Sequence, residues 1–158
     1  MITWLVIANS TNAFIYDISK PTLPEHQASG SHKHHYHLLT ELSHPGSRTK
    51  ISDLVSDRPG HYQASASHRG AYGAHTDAHE NELHQFAKEI AHHLDAERNK
   101  NSYQRLIICA AAHFHHLINE GLSKQAASLV IKHIEKDYVP LNEKQLHDVI
   151  ESIYREVL

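Results

Sequence analysis

The sequence predicts an α/β protein built on a mixed five-stranded sheet, in the order βββ-loop-αβαβα, with helices on the faces of the sheet. Three observations predict it. Residues 1–43 hold three β-rich runs with no helical period between them. After about residue 76 the apolar residues recur with the period of a helix. Strand-like and helix-like stretches then alternate, which implies parallel pairing through right-handed crossovers. At 158 residues the chain is read as a single domain, 1–158, able to bury one core.

Residues 2–8 are apolar and β-rich, and residues 13–18 form a second such run. Between them Asn9-Ser10-Thr11-Asn12 is turn chemistry, so the pair reads as a hairpin. Residues 19–35 turn polar, with Pro21, Pro24 and Gly30, and read as a loop. In residues 35–43, Tyr36, Leu38, Thr40 and Leu42 alternate with His37, Leu39, Glu41 and Ser43, a third strand completing an antiparallel meander.

Residues 44–76 have neither period. Pro45 and Pro59 remove backbone donors, and Gly46, Gly60 and Gly70 allow angles that other residues avoid, so the stretch reads as one long loop. Loops of this length in a compact domain are uncommon and are often functional. Beyond it Leu83, Phe86, Ala87, Ile90, Ala91 and Leu94 line one helical face, with Asp77 and Glu80 spaced as a capping box. Residues 105–112 read as a buried strand, followed by a short helix carrying Phe114, Leu117 and Ile118 and stopped by Gly121.

Residues 126–137 fit two patterns. Ala126, Leu129, Val130, His133 and Ile134 suit a helix, whereas the β-branched content and Pro140 suit a strand near 130–137, which is the expectation. The last helix is expected to start at Asn142 as cap, with Gln145 at the third position and Leu146, Val149, Ile150, Ile153, Tyr154 and Val157 on one face.

Composition narrows the function classes. No stretch reaches the roughly 18 apolar residues that would span a bilayer. Residues 1–8 lack a basic leader and read as a strand, which makes the cytoplasm the expected compartment. Cys109, the single cysteine, lies in an apolar run where a thiol acts as a small hydrophobe. There is no Gly-x-Gly-x-x-Gly, Walker loop or Gly-x-Ser-x-Gly, and Glu80, Glu82 and Glu89 read as a solvated helix face. No catalytic residue is named, and a non-enzyme is the favoured reading.

Eighteen histidines raise the question of metal. They cluster at His32, His34, His35 and His37, at His75, His79 and His84, and at His113, His115 and His116. Adventitious zinc or nickel binding is chemically natural. The zinc motif, however, needs histidines at i and i+4, and His79 and His84 stand five apart, about 140° around a helix. No resident metal and no cofactor are expected.

The long loop carries the candidate site. Over residues 44–72, Arg48, Lys50, Arg58 and Arg69 stand against Asp53 and Asp57, a balance of +2 in a chain of −3, leaving −5 for the remainder. A locally basic loop with its own apolar residues, Ile51, Leu54 and Val55, suits a phosphate-bearing or other anionic partner. The candidate binding residues are Arg48, Lys50, Asp53, Asp57, Arg58, Gly60, Gln63 and Arg69.

His44-Pro45-Gly46-Ser47-Arg48, the run Ser52-Asp53-Leu54-Val55-Ser56-Asp57-Arg58-Pro59-Gly60, Tyr72 with His75-Thr76-Asp77, and the helix bearing Glu82, Phe86, Ala87 and Ile90 resemble the bacterial family named "protein required for attachment to host cells". Residues 4–8, residues 106–112 and Lys136-Asp137 extend the resemblance over nearly the whole chain. It implies a ribonuclease-H-like fold similar to the middle domain of archaeal and eukaryotic class-one peptide-release factors, with the present loop standing where those carry Gly-Gly-Gln. That motif is not in this loop, whose one glutamine is Gln63, and the family's Ala-Pro-Pro-x-Phe pattern stands here as Ala111-Ala112-His113-Phe114. The expected function is therefore a translation-associated module that binds the ribosome or structured RNA, with no membrane partner and no protein partner identified. The alternatives are a host-attachment or interaction factor without RNA binding, and a histidine-ligated metallohydrolase.

Overall fold

The structure, a computed structural model, describes residues 1–19, 36–44, 68–139 and 142–158, of which 68–77 by backbone alone. Its elements are β1 (Thr3–Ala8), β2 (Asn12–Asp17), β3 (His37–Ser43), α1 (His68–Asn99), β4 (Arg105–Cys109), α2 (Ala112–Gly121), α3 (Lys124–Ala127), β5 (Val130–Ile134) and α4 (Glu143–Glu156). The strands form one sheet in the order β3-β2-β1-β4-β5. β1 pairs antiparallel with β2, and β2 antiparallel with β3, which is the expected meander. β4 lies parallel to β1, and β5 parallel to β4. The mixed five-stranded sheet with helices on both faces has the ribonuclease-H-like arrangement that the sequence implied.

β1 sits at the centre because its sequence has no polar side to offer. All six residues are buried, as expected of a strand covered on both faces. Trp4, Val6 and Ala8 point into one core with Ala13, Ile15, Leu106 and Ile108, covered by Phe86, Ala87, Ile90, Ala91 and Leu94 of α1 and by Phe114, Leu117 and Ile118 of α2. Leu5 and Ile7 point into the other with Ile107 and Cys109, covered by Ile150, Ile153 and Tyr154 of α4. The predicted apolar face of each helix is thus the face it buries. α1 and α2 approach so closely that a Cβ on Gly121 would stand 2.9 Å from the Cβ of Ala91, so glycine fits there and a larger residue would push the helices apart.

Hydrogen bonds close the ends of these elements. Asn142 accepts from the backbone N–H of Gln145, whose side chain accepts in return from the backbone N–H of Asn142, the predicted cap of the last helix. Ser123 caps α3 by accepting from Ala126 N–H, and its own hydroxyl donates to Asp95 of α1 at 2.6 Å. The turn after α1 is pinned by Tyr103, whose hydroxyl donates to the carbonyl of Leu94 at 2.7 Å while its ring packs on Trp4.

Three expectations need correction. The main helix starts at His68 rather than Asp77, so the long connection ends at residue 67 and not 76, and Arg69 lies on a helix. Once a helix is nucleated each further residue adds a hydrogen bond at little cost, and Ala71, Ala74 and Ala78 favour continuation past the local cap signal despite Gly70 and Gly73. The fourth strand ends at Cys109, and α2 begins at Ala112. Finally, residues 126–137 divide between the two patterns. Residues 126–127 close the single turn of α3, and the strand is residues 130–134.

Both edge strands also break the alternation read from the sequence. On β3, Thr40 pairs with Ile15 and Leu38 with Tyr16, so Leu39 is an extra residue. On β5, Val130 pairs with Leu106 and Lys132 with Ile107, so Ile131 is extra. These bulges move Leu42 and Tyr36 to opposite faces, and they put Lys132 and Ile134 on the α4 side but His133 on the α2 side. The two bulged residues are 44% and 42% exposed, and a bulged, twisted edge resists pairing with another chain.

Burial sets a pH limit on this core. The Cys109 thiol is fully buried and pushed up to about 12, and burial likewise pushes the Tyr103 phenol up to about 12. Both groups stay neutral in the folded protein, so their contribution to stability is intact below their ordinary values near 9 and 10 and is lost as pH rises toward 12. Iodoacetamide at pH 8.5 should label Cys109 only at the rate of unfolding, with a urea dependence matching that of the fold. Rapid labelling in buffer would contradict the packing described.

Candidate functional site

The strand directions bring four segments to one end of the sheet. β3, β4 and β5 all run parallel to β1, so the carboxyl ends of these four strands lie together. In open α/β sheets ligands are taken outside such ends. Asn9 follows β1, His44 follows β3, Ala110 follows β4 and Glu135 follows β5. The segment 45–67 leaves from His44 at this end.

Asn9 shapes the β1–β2 turn. Its side-chain oxygen accepts from the backbone N–H of Thr11 at 2.9 Å and of Asn12 at 2.8 Å. The turn in turn holds the end of β3, since the N–H of His44 donates to the carbonyl of Thr11 at 2.9 Å. The imidazole of His44 is then fastened to α1. It stacks on Phe86 with ring centroids 5.3 Å apart, contacts Glu82 through Nε2 and lies 3.4 Å from Glu89 through Nδ1. Only 14% of the His44 side chain is exposed. With one ring face on Phe86 and both nitrogens beside carboxylates, His44 anchors the end of β3 to α1.

A second histidine–carboxylate group lies nearby. Glu80 of α1 stands 2.6 Å from Nε2 of His113 at the start of α2 and 3.4 Å from Nε2 of His84. His113 is 58% exposed, so this contact faces water and contributes little to stability. The carboxylates expected to form a solvated face are part-exposed, and each also has a histidine beside it. Their signal in the sequence was position, because Glu82 and Glu89 flank Phe86 at i−4 and i+3 and so border the buried stripe.

On the α2 side of β5, His115 and His133 meet nitrogen to nitrogen, with ring centroids 3.9 Å apart. Burial lowers both from the ordinary histidine value, each ring is further lowered by a neighbouring imidazole, and Glu135 opposes the shift. On the opposite side a cleft of about 480 Å³ runs between β5 and α4, lined by Lys132, Lys136 and Tyr138 and by Asp148, Ser152 and Glu156.

Of the residues singled out from the sequence, Arg48, Lys50, Asp53, Asp57, Arg58, Gly60 and Gln63 lie outside the described residues, and Arg69 is described by backbone alone. Among the described residues no three His, Cys, Asp or Glu side chains are grouped to hold a metal ion. His84 faces Glu80 and not His79. Burial of Cys109 removes it as a nucleophile.

The anchor is testable by itself. His44→Ala should lower the free energy of unfolding by about 1–2 kcal/mol, the usual cost of losing a mostly buried hydrogen-bonded ring. The urea midpoint measures it, and an unchanged midpoint would show that the contact with α1 carries no weight.

Compared with known proteins, residues 4–150 match a family model described as "Protein required for attachment to host cells". No match was found among curated proteins.

Proposed function

We propose, from the premise that the chain belongs to the family of proteins required for attachment to host cells, that it is a binding module for an anionic macromolecule of the structured-RNA or ribosomal class. The partner is engaged at the carboxyl end of the sheet by the segment 45–67. One observation carries this reading: four strands turn that end outward, and the segment bearing Arg48, Lys50 and Arg58 departs from it at His44.

The fold similarity to release-factor middle domains that the family resemblance implies supports a place at the ribosome. Without Gly-Gly-Gln the role is one of binding and not of peptidyl-tRNA hydrolysis. In this reading the protein works in the cytoplasm, and among the described residues no helix is long and apolar enough to cross a membrane. The family description favours a second reading, an interaction factor for attachment that binds no RNA.

Co-sedimentation with ribosomes in low and moderate salt separates the two. The wild type should be retained at low salt and released as salt rises. The triple variant Arg48→Ala/Lys50→Ala/Arg58→Ala should keep its melting temperature while its binding weakens and its salt slope falls, by up to about 0.9 log units for each duplex phosphate that is no longer neutralised. A wild type that never sediments, or a variant that binds with the wild-type salt slope, would overturn the RNA reading.

A further inference from the structure

Seven of the described histidines make side-chain contacts of two kinds. His44, His84, His113, His116 and His147 each stand beside a glutamate, an arrangement that protonation of the ring strengthens. His115 and His133 stand beside each other, Nε2 to Nδ1, with their rings nearly perpendicular at 79°. Two imidazolium rings cannot share that contact, because their N–H groups would point at one another. Two neutral rings can share one proton across it, and so can one cation, which both lone pairs then bind.

From this juxtaposition the geometry points to a site for a divalent transition cation of the zinc class, held by Nε2 of His115 and Nδ1 of His133. It rests on none of the reasoning about RNA. The two ligands come from different elements, His115 from the first turn of α2 and His133 from the edge strand, and it is the bulge at Ile131 that turns His133 toward α2. Bulges recur where a strand must re-aim a side chain beside a site.

Each ring in its neutral form offers one lone pair, and the two nitrogens face each other across the contact. Zinc–nitrogen bonds of about 2.0–2.1 Å set two tetrahedral nitrogens roughly 3.3 Å apart, so the two rings, which touch in the structure, must part, with His133 swinging outward on the exposed sheet edge. Glu135 lies two residues beyond His133, and its charge acts on both rings. With two protein ligands, water would complete the set. A cation there would tie α2 to the edge of the sheet.

The test is a zinc titration of tag-free protein stripped with chelator and dialysed, read by competition with a chromophoric chelator. One saturable step should stand out from the weak background of the other histidines. His115→Ala and His133→Ala should each weaken that step by about tenfold or more, since even indirect support of a ligand matters by 10–100-fold. His116→Ala and His147→Ala should leave it unchanged. Imidazole nitrogen NMR of the wild type, which requires no variant, should show zinc shifting Nε2 of His115 and Nδ1 of His133 first. A tightest step that survives His133→Ala, shifts that begin at other histidines, or binding with no saturable step would each overturn the site.

Discussion

β1 is buried on both faces and hydrogen-bonded along both edges, and most of the architecture follows from covering it. One face requires α1 and α2, the other α4. The antiparallel edge is satisfied by a tight hairpin. The parallel edge cannot be, because a chain leaving β2 and β3 must travel the length of the sheet before β4 can run beside β1. α1 makes that journey, and a connection must join the carboxyl end of β3 to its start. A connection between β3 and α1 is thus a topological requirement, and β3 delivers the chain to it at the carboxyl end of the sheet.

The same logic explains why histidine is prominent where the layers meet. His44 closes the junction of β3, the β1–β2 turn and α1 by joining an aromatic stack to two carboxylates, a combination that an aliphatic residue or a lysine could not make. His113 links α2 to α1 through Glu80, and His115 links α2 to β5 through His133. In each case an imidazole lies at the border between core and water, where its flat ring packs and its nitrogens still find polar partners. The high histidine content is in this sense partly structural.

Elements with a strong local period were legible in the sequence. β1, the buried stripe of α1, the helix ended by Gly121 and the capping box of Asn142 all follow from residue spacing, because burial on a regular element leaves a regular pattern. Where tertiary context decides, the pattern failed. The bulges at Leu39 and Ile131 each insert one residue and invert the alternation after it, which no single-strand reading detects. The start of α1 was hidden because a good cap signal at Asp77 lay inside a longer helix. At the candidate site, the long connection and its basic balance were visible, whereas the anchor was not: His44 and Glu82 lie 38 residues apart, and only the crossover brings them together.

If the carboxyl end of the sheet is the working end, a partner should cover it and leave the opposite end bare. Amide hydrogen exchange of the protein with and without ribosomal particles at low salt tests this most directly. Protection should rise around residues 9–12, at His44 and around 110–113, while residues 18–19 and 100–104 at the other end of the sheet should not change. Protection confined to those latter residues, or to the cleft between β5 and α4, would contradict it.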